Sequence, residues 1–229
     1  MVAVGLVEEA SEARSDATLA PVVPPLRALQ RDATPASEGA GVAILLLDVI
    51  NDLEWEGGEL LLPHFEVASE RIAALAARAR AASVPVIYVN DNYGRWRSDF
   101  RHLVAHCIED DVRGRRIAER LLPQQDDYFV LKPKHSGFFS TTLDMLLQHL
   151  SVRTLVLTGV AGNICVLFTA GDAHMRDYRL FVPVDCVASN TAVENVHAIT
   201  LMATVLGADT LPSTELDLDA LSGASNPPR

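Results

Sequence analysis

The chain has 229 residues, 49% of them apolar or aromatic and 21% charged, which supplies one sizeable core without calling for a second domain. Thirty acidic against nineteen basic side chains leave a net charge of -11, which argues against nucleic acid or an anionic membrane surface as a partner. No stretch has the basic start and apolar run of a leader, or the length to span a bilayer, so a cytoplasmic location is expected.

Residues 1–40 are rich in Ala, Pro, Glu and Ser, and "APVVPPL" and "ATPASEGAG" interrupt any periodicity. They read as a flexible or surface-draped N-terminal arm. From there to residue 211, apolar runs of strand length alternate with helical patterns, and residues 212–229, ending in "SGASNPPR", read as a C-terminal tail. The first run, "GVAILLLD" (41–48), is followed by Phe65, Ala68, Ile72, Leu75, Ala79 and Ala82, which advance by three and four and predict one buried helix face. "VPVIYVN" (84–90) comes next. After it "FRHLVAHCIEDD" and "RGRRIAER" have helical patterns, the second mixed in charge sign. "DYFVLK" (127–132) precedes a helix carrying Leu143, Leu146, Leu147 and Leu150; "RTLVLTG" (153–159) leads into "GVAGNICVLFTAGDA"; and "RLFVPVD" (179–185) precedes a helix with Val196, Ile199, Ala203 and Leu206 inward. Near-continuous hydrophobicity suits strands covered on both faces. The expected fold is therefore α/β, a three-layer α/β/α sandwich around a mostly parallel, Rossmann-like sheet, in which ligands bind beyond the carboxyl ends of the strands.

Three such ends carry chemistry. The first strand ends in Asp48, the third in Lys132, and the fourth leads through "GVAGN" to Cys165 in the first turn of a helix. The thiolate is the reactive form of cysteine; unpaired N–H groups at a helix start favour it, and a neighbouring lysine would add to the effect. Asp48 is then placed to take the thiol proton and return it to a leaving amine, while N–H groups of the "VAGNIC" loop face a developing oxyanion. Each residue alone also has a plain structural reading. Cys165 is a small apolar filler, Asp48 a turn cap, Lys132 a solvated loop charge. Cys107 and Cys186 lack partners at ligand spacing and read as free thiols. His102 and His106 have the i, i+4 spacing of a metal face but no third ligand nearby, so no metal site is expected.

Three stretches, in order, resemble the isochorismatase-like cysteine hydrolases, the superfamily of nicotinamidases, N-carbamoylsarcosine amidases and ureidoacrylate amidohydrolases. They are "AILLLDVINDL", "VLKPKHSGFFSTTLDMLL" and "LVLTGVAGNICVLFTAGDAHMRDY". The resemblance implies Cys165 as nucleophile, Asp48 as general base and Lys132, rather than Lys134, as the cation beside the thiolate. It also implies a cis peptide joining Val160 to Ala161, and the backbone amides of Ala161 and Cys165 as oxyanion donors. Three positions depart from the family pattern: Ile50 where Gln is common, Leu53 where Phe is common, and Gly162 where Thr is frequent, the last opening space beside the oxyanion loop. Nicotinamidases carry metal-binding histidines after the second strand, where this chain has "YVNDNYGRWRSDF". Isochorismatases acting on a vinyl ether need no thiol. The resemblance thus implies a metal-independent hydrolase of C–N bonds acting on a small amide or ureido compound without an organic cofactor, and a homo-oligomer, dimer or tetramer. Trp55, Asn92, Trp96 and Phe138 are candidate walls of the substrate pocket. A binding protein that keeps the fold without turnover, and nicotinamidase-type or isochorismatase-type hydrolysis, are the competing readings.

Overall fold

The structure, a computed structural model, describes residues 41–92 and 99–221. Strand β1 (Gly41–Leu47) is flanked in a parallel sheet by β2 (Val86–Asp91) and β4 (Val152–Val160). Outside them lie β3 (Tyr128–Lys132) and β5 (Arg179–Phe181), giving the order β3-β2-β1-β4-β5, and a two-residue β6 (Val187–Ala188) also pairs with β4.

Alternation along β1 builds the two halves of the core, because successive side chains leave opposite faces of a strand. Val42, Ile44 and Leu46 point into one cluster with Val86 and Tyr88, beneath α1 (Gly58–Ala81), α2 (Phe100–Glu109) and α3 (Arg115–Arg120). Ala43, Leu45 and Leu47 point into the other with Ile87 and Val89, beneath α4 (Leu143–His149), α5 (Leu167–His174) and α6 (Ala192–Val205). This is the expected three-layer sandwich. The stripe Phe65, Ala68, Ile72, Leu75 and Ala79 is buried as the spacing requires, with Ala82 at the C-cap.

Three expectations need correction. Run 179–185 is not one strand. Pro183 offers no N–H to a ladder, so β5 stops at Phe181 and a 3₁₀ turn at Val184–Cys186 resets the chain before β6. In α6, Val196 is 62% exposed while Ala198, Ile199 and Met202 are buried; at about 100° per residue, Val196 lies roughly a third of a turn from the centre of that stripe. Finally, the tail does not begin at 212. Leu216 and Leu218 belong to the first core cluster, α7 (Leu218–Leu221) closes the described chain, and Arg78 donates to the carbonyls of Ser213 and Leu216. Truncation after Leu211 should therefore cut the unfolding free energy by several kcal/mol, about 1.5–3 kcal/mol for each buried leucine exposed, and lower the urea midpoint accordingly; an unchanged midpoint would refute the docking.

The loop after β1 is pinned from α2 and α3. His106 Nδ1 lies 2.6 Å from Asp110 and its Nε2 3.2 Å from Asp52, Gly114 N–H donates to the Asp52 carbonyl at 2.9 Å, and a Cβ on Gly114 would meet the Asn51 carbonyl oxygen at 1.8 Å. Hydrogen bonds to Asp110 and Asp52 raise the His106 pKa above 6.5. A raised folded pKa contributes stability that is complete below the unfolded value and lost as pH rises through the folded one. His106→Gln should accordingly lower the urea midpoint below pH 6.5 and have little effect in alkaline buffer.

Candidate active site

Asp48, the residue after β1, has φ 51°, a left-handed conformation that Asp tolerates better than most side chains. Two hydrogen bonds hold it there. Its N–H donates to the Val89 carbonyl at 3.0 Å, and its Oδ1 accepts from the Asp91 N–H at 2.7 Å. The other carboxylate oxygen, Oδ2, lies 2.8 Å from Lys132 Nζ, and that lysine side chain has no exposed surface. Lys132 arrives through register, since β3 pairs with β2 so that Lys132 stands opposite Asp91, whose Oδ2 is 3.7 Å from Nζ.

From the fourth strand comes the sulfur. Gly159, at φ 111°, allows β4 to close on β1, where a Cβ would meet the Leu47 carbonyl oxygen at 2.0 Å. The Val160–Ala161 peptide is cis, as the resemblance implied. Cys165 follows within a π-helical turn, Gly162–Val166, rather than an α-helical one; such turns recur at functional sites. Lys132 Nζ donates to Cys165 Sγ at 3.4 Å, so the ammonium that holds the Asp48 carboxylate also reaches the sulfur. The three side chains thus meet at one rim of the sheet. The two lysine- and cysteine-bearing motifs are also stitched together, because the Gly137 N–H donates to Thr169 Oγ1 at 2.9 Å.

The expected acidification of the thiol meets an opposing effect. Burial, and next the negative charge of Asp48, push Cys165 up to about 12 against the pull of Lys132. Burial likewise raises the Asp48 carboxyl, opposed first by the Lys132 ammonium. Burial pulls Lys132 down, but the Asp48 carboxylate and the other neighbours outweigh it and leave it raised. Burial and the Asp48 charge thus oppose the thiolate that Lys132 favours. Replacing Asp48 by Asn removes the charge that most opposes ionisation after burial, so thiolate absorbance in the ultraviolet should titrate at lower pH in Asp48→Asn and at higher pH in Lys132→Met. A shift in the opposite direction in either variant contradicts this charge balance.

The other candidate residues divide. Asn92 is buried and its N–H donates to the Lys132 carbonyl at 3.0 Å, so it fixes the backbone behind the lysine. Phe138, expected as a pocket wall, is 6% exposed and packs in the second core cluster against Tyr178, with the Arg176 guanidinium 4.6 Å above its ring. Its neighbour Phe139 is the exposed ring. Trp55 is part-exposed over Gly57, and Trp96 lies outside the described residues. Ile50 and Leu53 are fully buried in the first cluster, so those two departures belong to packing. Gly162 opens no space: a Cβ there would meet Asn195 Oδ1 and Val187 Cγ1 at 2.7 Å. Sequence reading passed over Asp91, although it ends a strand as Asp48 follows one and Lys132 ends another. Among the described residues no group of three or more His, Cys, Asp or Glu is arranged to hold a metal, and no helix is long and apolar enough to cross a membrane.

Comparison with known proteins adds an independent line. The family model for the isochorismatase domain matches residues 42–214. An uncharacterized isochorismatase family protein, YaaI of Bacillus subtilis, is 44% identical over 170 residues, covering 74% of this chain and 93% of that protein. Ureidoacrylate amidohydrolase RutB of Methylorubrum extorquens is 30% identical over 171 residues, 62% of this chain and 68% of that protein. Among solved structures, N-carbamoylsarcosine amidase from Thermoplasma acidophilum superposes with a TM-score of 0.61 at 27% identity, covering 77% of this chain and 99% of that one.

Proposed function

The chain belongs to the isochorismatase family, and we propose that within it the protein is a cysteine amidohydrolase that cleaves a C–N bond of a small amide, ureido or carbamoyl compound without a metal. The observation that carries this reading is the meeting of Asp48 and Cys165 at one buried ammonium, Lys132 Nζ, at 2.8 and 3.4 Å. The names of the amidohydrolase and amidase relatives point to the same bond type.

Asp48 takes the Cys165 proton as sulfur attacks the carbonyl carbon, and Lys132 compensates the charge that passes between them. The carbonyl oxygen becomes an oxyanion that the backbone amides of Ala161 and Cys165 receive. Collapse of the tetrahedral adduct breaks the C–N bond, and Asp48 returns its proton to the departing nitrogen. This leaves an acyl thioester and ammonia or an amine. Water then adds to the thioester carbon, its proton passing to Asp48, and cleavage of the C–S bond releases the acid and reprotonates sulfur. A high thiol pKa fits this scheme, because the nucleophile is formed only when a base of raised pKa is aligned to receive the proton.

The test is ammonia release over a panel of primary amides, carbamates and ureido compounds, with the native chain and Cys165→Ala side by side. A turned-over compound should lose at least about 10³-fold in kcat in the variant, with chelator leaving the native rate unchanged. A variant that keeps the native rate removes Cys165 from the reaction, and chelator sensitivity removes the metal-free scheme.

A further inference from the structure

Strand pairing places two members of the site directly and the third only at a distance. Asp48 and Lys132 are both tied to β2, whose Val89 carbonyl and Asp91 amide hold Asp48 and whose register sets Lys132 opposite Asp91. Cys165 arrives from β4, which β2 and β1 separate from β3, three strand spacings or about 14 Å. The sheet does not by itself bring the sulfur to 3.4 Å from the Lys132 ammonium.

A direct seam between the segment after β3 and the helix after β4 spans that distance. Lys132 meets Cys165, the His135 ring centroid lies 5.5 Å from that of Phe168, and the Gly137 N–H donates to Thr169 Oγ1 at 2.9 Å, so the two segments advance side by side. The first contact is the one to be explained, and the second joins two exposed side chains. The third is buried. Thr169 has no exposed surface, and Gly137 is buried with its carbonyl accepting from the Thr141 hydroxyl at 2.5 Å. A buried N–H without an acceptor is costly, which holds the Gly137 peptide to this partner. Thr169 follows Cys165 by four residues, about one turn along the same side of the helix. We propose that Thr169 is a positioning residue whose hydroxyl, by holding the Gly137 amide, fixes the cysteine helix against the segment after Lys132 and so sets the ammonium–sulfur contact. The proposal deepens the amidohydrolase reading and rests on it for the use to which that contact is put.

The test needs no substrate. Alkylation of Cys165 by iodoacetamide in mildly alkaline buffer, followed by mass analysis of its peptide, reports the thiolate available there. The rate is measured in the native chain, in Thr169→Val, which keeps the shape and loses the acceptor, and in Thr169→Ser, which keeps the acceptor. The same three are then measured in a Lys132→Met background. Lengthening the ammonium–sulfur contact by about 1.5 Å lowers the thiolate population about tenfold at an effective dielectric constant of about 20. Thr169→Val should therefore react about tenfold more slowly than the native chain, and Thr169→Ser within about twofold of it. With Lys132 replaced by Met there is no ammonium to misplace, and the valine should change the rate by less than about twofold. A role in stability alone, or in access to the thiol, acts alike in both backgrounds. An unchanged rate in a folded Thr169→Val, or an equal loss in both backgrounds, overturns the assignment. Thr169→Ala also lacks the acceptor and takes the place of the valine variant if that does not fold; should neither fold while Thr169→Ser does, the bond serves folding and the assignment falls. Alkylation requires only a reachable thiol, so this positioning role can fail while amide hydrolysis stands, and can hold in a chain that hydrolyses no amide.

Discussion

A lysine ammonium with no exposed surface is the constraint on which the rest of the site depends. Removing such an ion from water is tolerated only where an opposite charge and hydrogen bonds replace hydration, and deleting one partner of such a pair costs about 3–5 kcal/mol. Here the partner is Asp48 at 2.8 Å, and much of the local architecture serves to keep it in place. The strand before Asp48 is buried on both faces, its φ is left-handed, and the neighbouring strand both accepts from its amide and donates to its carboxylate. Parallel register then sets Lys132 opposite Asp91 rather than one residue away. A slip of one residue would turn the ammonium to the other face of the sheet.

The same pairing bears on the ionisation of the sulfur. A lysine beside a thiol and a helix start above it both favour thiolate. At Cys165 burial and the carboxylate that already holds the lysine oppose them and push the thiol up to about 12. An ammonium can compensate one charge at close range, and Asp48 has the shorter contact: 2.8 Å against 3.4 Å to sulfur. Once the proposed proton transfer occurs the situation inverts. Asp48 becomes neutral, and the lysine charge is released to the sulfur at the moment it turns negative. In the proposed reaction the two sites that carry the negative charge in turn would thus share one cation.

Much of this was legible in the chain. Continuous apolar runs identified the parallel strands because a doubly covered strand has no polar face to show, and Asp48, Lys132 and Cys165 were legible because each terminates or follows such a run. What escaped has physical reasons. The ionisation state of Cys165 is a sum of opposing effects whose distances no sequence carries. Phe138 was assigned to the pocket from its nearness in sequence to Lys132, but the turn at Gly137, where a Cβ would crowd Val89 and Leu143, sends its ring into the core. Leu216 and Leu218 lie in a segment of mixed character after a proline, with too few residues to display a period. Asp91 ends its strand as Lys132 does, but the apolar run 84–90 stops one residue short of it, and the register with β3 is what sets it opposite the lysine.

The departures from the family pattern show how packing can imitate specificity. Ile50 and Leu53 exchange one side chain for another in places that see no solvent. Gly162 is more constrained than its small size suggests. Ser189 Oγ accepts from the Asn163 N–H at 3.3 Å and donates to Asn195 Oδ1 at 3.0 Å, and Asn195 in turn donates to the Val187 carbonyl at 3.0 Å. This polar brace from β6 and α6 occupies the volume a threonine side chain would need, since a Cβ on Gly162 would already lie 2.9 Å from Ser189 Oγ. The loop that carries Cys165 is thus supported from outside by neighbouring side chains rather than by its own residue at 162. Glycine there is the counterpart of the Ser189 and Asn195 pair, and a threonine would have to displace that pair before it could touch the chemistry.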